Sequence, residues 1–201
     1  MKIFCIGRNY AEHAKELQNE VPQEPVIFMK PPTALLKYGL PFFLPDFSDD
    51  VHYEAELVLK ITRQGKHIQE KFAHKYFDHI SLGIDFTARD IQQRLKQKGL
   101  PWEISKGFDG SAAVGDFVPL EDFPAPITFH LEIDGKTVQQ SDTSFLLFSF
   151  SRLISFISQY FTLQTGDLIY TGTPAGVGKV YVNNHLTGYV EDQKVLDLIV
   201  K

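Results

Sequence analysis

The segment His52-Tyr53-Glu54-Ala55-Glu56-Leu57-Val58-Leu59-Lys60-Ile61 holds the residue types and spacing most suited to chemistry. Leu57, Val58, Leu59 and Ile61 favour an extended strand, and nothing in the run breaks or caps a helix. Side chains alternate across a strand, so Glu54 and Glu56 project from one side, one pleat apart. Two carboxylates that close in apolar surroundings repel each other and resist desolvation unless a cation or a proton lies between them. A hard divalent cation is the economical explanation. The plain alternative is a half-exposed strand with two solvated glutamates, and this segment alone does not exclude it.

Asp85 supplies a third carboxylate, at the end of an expected strand over Ile80–Phe86 and just ahead of a helix. Its spacing to Arg89 and Gln92 would set all three on one helical face. Taken alone, Asp85 reads equally as a helix cap answered by an exposed Arg89. Together with Glu54 and Glu56 it makes an oxygen-only set suited to Mg²⁺, Mn²⁺ or Ca²⁺, with positions left for substrate and water. His52 shares the face of Glu54 but is not needed by such a set. His13 and Glu16, three apart on an expected helix, form a second unit. A carboxylate bonded to an imidazole fixes its tautomer and raises its basicity, as a general base acting on water requires. Lys106 could offset the charge of a substrate carboxylate or an enolate. The loop Thr171–Gly178 could bind anions through backbone N–H groups, but it is neither a P-loop nor a G-x-G-x-x-G fingerprint.

These groups need elements to hold them. Strands are expected over Lys2–Ile6, Val26–Met29, His52–Ile61, Ile80–Phe86, Ile127–Ile133 and Leu168–Tyr170, with an Asp134-Gly135 type I′ turn. Helices are expected over Ala11–Asn19, Ile68–Phe77, Ala88–Lys98 and Ser144–Tyr160, and an irregular segment over Pro31–Pro45. The chain has 201 residues, 43% hydrophobic and 22% charged, with 17 Phe and 8 Tyr. That suits one core in a mainly β domain with a few helices. A net charge of −5 without a basic run argues against nucleic acid. One cysteine, Cys5, excludes an internal disulfide framework or a multi-Cys zinc site. No apolar run is long and charge-free enough for a membrane span, and no signal peptide is evident, so a cytoplasmic location is expected.

Gly7-Arg8-Asn9-Tyr10, Glu54-Ala55-Glu56, Gly83-Ile84-Asp85-Phe86-Thr87-Ala88-Arg89-Asp90 and Thr171-Gly172-Thr173-Pro174-Ala175-Gly176-Val177-Gly178 resemble, in order, the hallmark motifs of the fumarylacetoacetate hydrolase family. His13-Ala14-Lys15-Glu16, and Gly99-Leu100-Pro101-Trp102 ahead of Lys106, resemble its short acylpyruvate hydrolase and oxaloacetate decarboxylase branch. The resemblance implies a mixed β-roll of α+β type, one catalytic domain over 1–201 with 11–20 as a lid, and a homodimer. It implies an Mg²⁺ or Mn²⁺ ion on Glu54, Glu56 and Asp85, and a water-activating dyad of His13 and Glu16. Lys106 joins them as a catalytic group, and Arg8, Arg89, Gln92 and Thr173 hold the substrate. The segment 188–194 is more polar than the Gly- and Val-rich hairpin in which members commonly end.

The expected reaction is metal-dependent hydrolysis of a C–C bond in an acylpyruvate, giving a carboxylate and pyruvate, with oxaloacetate as a further substrate. Oxaloacetate decarboxylation, keto-enol exchange and isomerisation of a 2-hydroxyhepta-2,4-diene-1,7-dioate use the same enolate chemistry and stay open as alternatives. A dicarboxylate-binding module without turnover is the reading outside the enzyme class.

Overall fold

A computed structural model describes residues 1–16, 21–37 and 39–201, with the backbone alone at residues 14 and 15. In chain order the elements are β1 (Ile3–Gly7), α1 (Ala11–Glu16), β2 (Val26–Lys30), β3 (Val51–Tyr53), β4 (Ala55–Ile61), β5 (Phe77–Asp85) and β6 (Thr87–Ala88). Then follow α2 (Arg89–Gln97), α3 (Glu103–Lys106), β7 (Ala112–Val114), β8 (Val118–Pro119), β9 (Thr128–Ile133) and β10 (Lys136–Asp142). The last are α4 (Phe150–Tyr160), β11 (Leu168–Tyr170), β12 (Gly178–Lys179), β13 (His185–Val190) and β14 (Gln193–Ile199). The architecture is mainly β with a few helices, as the sequence implied.

A seven-stranded sheet runs β2-β1-β11-β4-β5-β7, with β8 pairing the far end of β5. A four-stranded sheet runs β10-β9-β13-β14, and a small one runs β12-β3-β6. One core joins Phe4, Leu57, Leu59 and Leu82 of the large sheet to Phe129 and Val190 of the four-stranded sheet, and Leu153, Ile154 and Ile157 of α4 close it. Those three α4 side chains are wholly buried, each worth about 1.5–3 kcal/mol of apolar transfer. A second core links Tyr53, Ala55, Ile84 and Phe86 to Leu131, Leu186 and Leu198. Both sheets therefore grip the strands that carry the acidic residues.

Several expected elements are redrawn by long-range partners. The single strand over His52–Ile61 is two, because the chain changes sheets at Glu54. The helix over Ile68–Phe77 is only a 3-10 segment, Glu70–Lys75, and Phe77 already starts β5. The helix over Ser144–Tyr160 shortens to α4, capped by Ser149, whose Oγ accepts from the Arg152 N–H at 3.2 Å. Its expected first turns are diverted by Asn9. The Leu147 N–H donates to the Asn9 carbonyl (2.9 Å), and the Asn9 amide exchanges hydrogen bonds with both Phe148 backbone groups. The helix expected over Ala11–Asn19 is described as far as Glu16; residues 17–19 lie outside the described residues. Pro31–Pro45 is irregular as expected, with one 3-10 turn at Pro32–Ala34. The Asp134-Gly135 turn has φ of 53° and 75°, the positive pair that a type I′ turn requires. The polar C-terminal segment does form a hairpin, β13–β14, and β13 pairs with β9.

Gly115 shows how tightly the two larger sheets meet. A Cβ there would lie 2.2 Å from the Val195 carbonyl oxygen of β14. Gly115→Ala should cost about 1–3 kcal/mol through overpacking, lowering Tm by about 2–4 °C per kcal/mol in a chain of this size. Thermal denaturation followed by circular dichroism checks this, and an unchanged Tm would mean that β14 yields freely.

Candidate functional site

Glu54 sits where β3 passes into β4. The Asp85 N–H donates to the Glu54 carbonyl at 2.8 Å, and the Ala55 N–H to Gln139 Oε1 at 2.9 Å. These bonds satisfy a backbone that has left one sheet and not yet joined the next. Glu56 follows two residues on, paired opposite Gly83 of β5, and Asp85 ends β5 beside them. The parity argument therefore holds across the strand break. Oxygen atoms of Glu54, Glu56 and Asp85 all lie within 4.8 Å of one another, and all three residues are buried.

Three buried cations face the three carboxylates. Lys106 Nζ lies 2.7 Å from Glu54 Oε2, 2.8 Å from Asp85 Oδ2 and 2.6 Å from Thr87 Oγ1. Arg89 donates from Nη2 to Glu54 Oε1 and from Nη1 to Gln92 Oε1. Lys30 reaches Asp85 Oδ1 at 2.8 Å and is anchored on the carbonyl (2.8 Å) and hydroxyl (3.1 Å) of Ser111. Asp85 does not cap α2, whose first turn takes no side-chain cap, so the capping alternative is excluded. Glu56 has no cation of its own: its Oε2 accepts the Gly172 N–H at 2.6 Å. Gly172 has φ +102°, and a Cβ there would meet the Asn9 Cβ at 2.6 Å, so the turn that aims this N–H needs glycine.

The electrostatics separate the two glutamates. Burial pushes Glu54 up, but the charges of Lys106 and Arg89 outweigh it and hold its carboxyl well below the usual range. Glu56 is pushed well above that range, first by burial and then by the Asp85 and Glu54 charges. Burial disfavours the charged Lys106, yet Asp85 and Glu54 together raise its pKa. A carboxyl that keeps its proton only because no cation shares it belongs in a cation site. Asp85 Oδ1 fits the same role, since it is buried with Lys30 nearby but accepts no hydrogen bond. An all-oxygen donor set of this kind suits a hard divalent ion.

His13 and Glu16 come together as their spacing required, with Nδ1 3.1 Å from Glu16 Oε2. Glu16 also accepts the Gly176 N–H at 3.1 Å. The loop after β11 thus binds anions through its N–H groups, and the anions are Glu56 and Glu16. His13, Arg8, Arg89, Gln92, Lys106 and Thr173 line one cavity with the three carboxylates. Arg8 enters it from a left-handed backbone, φ +62°. His52 turns aside to Asp50, 3.0 Å away. Sequence reasoning missed Lys30, which reads as the exposed end of an apolar strand. It also missed Gln139, whose Nε2 donates to Thr173 Oγ1 and to the Pro174 carbonyl, both at 2.9 Å. A β-bulge between Thr137 and Gln139 marks that site in β10, and nothing local in the sequence signals it.

Two outcomes follow from these shifts. Without a divalent ion the folded state holds a proton on Glu56 that the unfolded chain releases. Stability therefore falls as pH rises from the ordinary glutamate value toward the raised one. Glu54 acts oppositely, its contribution lost as pH falls below the ordinary value toward its depressed one. Added Mg²⁺ should raise Tm more at pH 8 than at pH 6, read by scanning calorimetry; a shift independent of pH would contradict the Glu56 assignment. Loss of an outer-shell partner costs about 10–100-fold in metal affinity, so Glu56→Gln should cost at least that by isothermal titration.

The sequence matches the fumarylacetoacetate (FAA) hydrolase C-terminal family over residues 2–199. It is 41% identical over 191 residues to the oxaloacetate tautomerase FAHD1, mitochondrial, of Rattus norvegicus, covering 94% of this chain and 86% of that protein. It is 42% identical over 182 residues to an oxaloacetate decarboxylase, mitochondrial, of Dictyostelium discoideum, covering 89% and 84%. The fumarylpyruvate hydrolase of Pseudomonas aeruginosa, solved with Mn²⁺ and pyruvate, superposes with a TM-score of 0.92 at 35% identity, over 100% of this chain and 89% of that one. The chain belongs to the fumarylacetoacetate hydrolase family of enzymes.

Proposed function

We propose that this protein is a metal-dependent enzyme of small 2-oxo acids that works through their enolates. The carrying observation is the cavity that joins the buried Glu54-Glu56-Asp85 set to the His13–Glu16 pair and to Lys106. An Mg²⁺ or Mn²⁺ ion on the three carboxylates would supply Lewis acidity toward the carboxylate and 2-oxo oxygens of the substrate. Lys106 offsets the negative charge that gathers on the 2-oxo oxygen as the enolate forms. Arg89 holds Glu54 and Gln92 in place, and Arg8, Gln92 and Thr173 bind and orient the substrate's remaining oxygens.

Glu16 engages Nδ1 of His13, which leaves Nε2 to accept a proton. For oxaloacetate, Nε2 takes a proton from C3 and returns one, giving keto-enol exchange; the similarity to FAHD1 of Rattus norvegicus supports this reaction. For an acylpyruvate, Nε2 takes a proton from water as the water oxygen adds to the distal carbonyl. The C3–C4 bond then breaks, its electron pair forms the pyruvate enolate, and the proton goes to C3. The likeness to the fumarylpyruvate hydrolase supports this second reaction. Residues 1–201 act as one catalytic unit in this reading, with α1 part of a lid over 11–20, of which residues 17–20 lie outside the described residues.

A homodimer and a cytoplasmic location belong to the same proposal; both curated relatives cited carry "mitochondrial" in their names. No helix among the described residues is long and apolar enough to cross a membrane. The test is pyruvate release from acetylpyruvate, beside decay of the enol absorbance of oxaloacetate, each with Mg²⁺ and with EDTA. Metal-dependent turnover of either is expected, and binding of oxaloacetate without turnover of either would leave only the binding module. General acid–base catalysis supplies about 10²–10⁴-fold. His13→Ala should therefore lower acetylpyruvate kcat by about 100-fold or more with Mg²⁺ affinity unchanged; wild-type turnover would remove His13 from the reaction.

A further inference from the structure

Lys96 also lines the cavity, and no expectation drawn from the sequence includes it. Arg89, Gln92 and Lys96 are spaced three and four apart on α2 and so form one face of the helix. They run from the buried core of the site to its mouth. Arg89 and Gln92 are buried, whereas Lys96, in the last turn, is exposed. Arg8 faces the same cavity from the loop after β1, half-buried, and its guanidinium makes no hydrogen bond or ion pair with any described residue. Its left-handed backbone, uncommon outside glycine and asparagine, is strain of the sort that collects at ligand sites. The two cations feel each other: burial lowers the Lys96 pKa, and the charges of Arg8 and then Arg89 lower it further. Placing like charges together at a cavity mouth costs free energy that a bound anion would recover.

We propose that Lys96, acting with Arg8, binds a second carboxylate of the substrate, so that the cavity selects 2-oxo dicarboxylates over 2-oxo monocarboxylates of similar length. This rests on the reading above, in which the 2-oxo acid end of the substrate lies at Glu54, Glu56 and Asp85. Lys106 and Arg89 are committed to the inner carboxylates, which leaves the mouth pair for the outer end of the ligand. A merely structural Lys96 would serve the C-terminal end of the α2 dipole and would alter stability without regard to substrate.

Lys96→Gln and Lys96→Arg decide between these roles, with KM and kcat measured for oxaloacetate and for acetylpyruvate in the Mg²⁺-loaded protein. A charge-assisted hydrogen bond lost at a partly exposed site corresponds to about tenfold. Lys96→Gln should raise KM for oxaloacetate by that factor, leave KM for acetylpyruvate and both kcat values nearly unchanged, and be largely rescued in Lys96→Arg. Equal changes for the two substrates, or no change for either, would overturn the proposal. If the wild type turns over neither compound, the proposed activity fails on its own. Calorimetric dissociation constants for the same two ligands then settle the present point. A wild-type preference for oxaloacetate that Lys96→Gln abolishes supports it; no preference, or a preference the variant keeps, refutes it.

Discussion

Three carboxylates buried within 4.8 Å of one another are the constraint around which the rest of the molecule is arranged. Buried ionised carboxylates are tolerated only when cations and hydrogen bonds replace their water. Here Lys30 comes from the end of β2, Arg89 from the start of α2, Lys106 from α3, and the Gly172 N–H from the loop after β11. Four separate parts of the chain thus converge because the acids demand them. Replacing an ion pair by apolar residues is often neutral or stabilising, so this cluster is better understood as kept for chemistry than for stability. The one acid left without a cation, Glu56, is the one that burial and its neighbours push toward the protonated form.

The sheets translate that demand into geometry. β4 and β5 lie side by side and carry Glu56 and Asp85, while β3 lies in another sheet with β6 and β12. Glu54 stands at the crossing. Gln139 holds the crossing shut, with its carbonyl on Ala55 and its amide on Thr173 and Pro174. A residue of the four-stranded sheet thereby sets the distance between the metal-side glutamates and the loop that binds Glu16 and Glu56. Asn9 works similarly from the other side, donating to the Thr171 carbonyl while it holds Phe148.

What the sequence made legible was whatever depends on local spacing. The two-residue period put Glu54 and Glu56 on one side, the three-residue period brought His13 to Glu16, and the Asp-Gly pair made its turn. Asp85 was found because a carboxylate at a strand end joined that set, although local spacing alone read equally well as a cap. Features hidden from the sequence have causes distant along the chain. The strand break at Glu54 depends on Gln139, the shortened α4 on Asn9, and the buried state of Lys30 on Ser111 and Asp85. A lysine after Val26-Ile27-Phe28-Met29 looks like any strand end until its partners, 55 or more residues away, are in place. Lys96 was passed over for a related reason, because one face of a helix gains meaning only when a cavity lies against it.

Helix α1 has six described residues, too few to be stable by itself in water. Glu16 is therefore more than the orienting partner of His13. Through the Gly176 N–H it is the tether that fastens this short helix to the loop after β11. The imidazole is only as well aimed as that one tether is taut. Its proton-transfer competence is then a property of the docked helix rather than of the residue, and a base assembled in this way is in working order only while the chain is folded over the site.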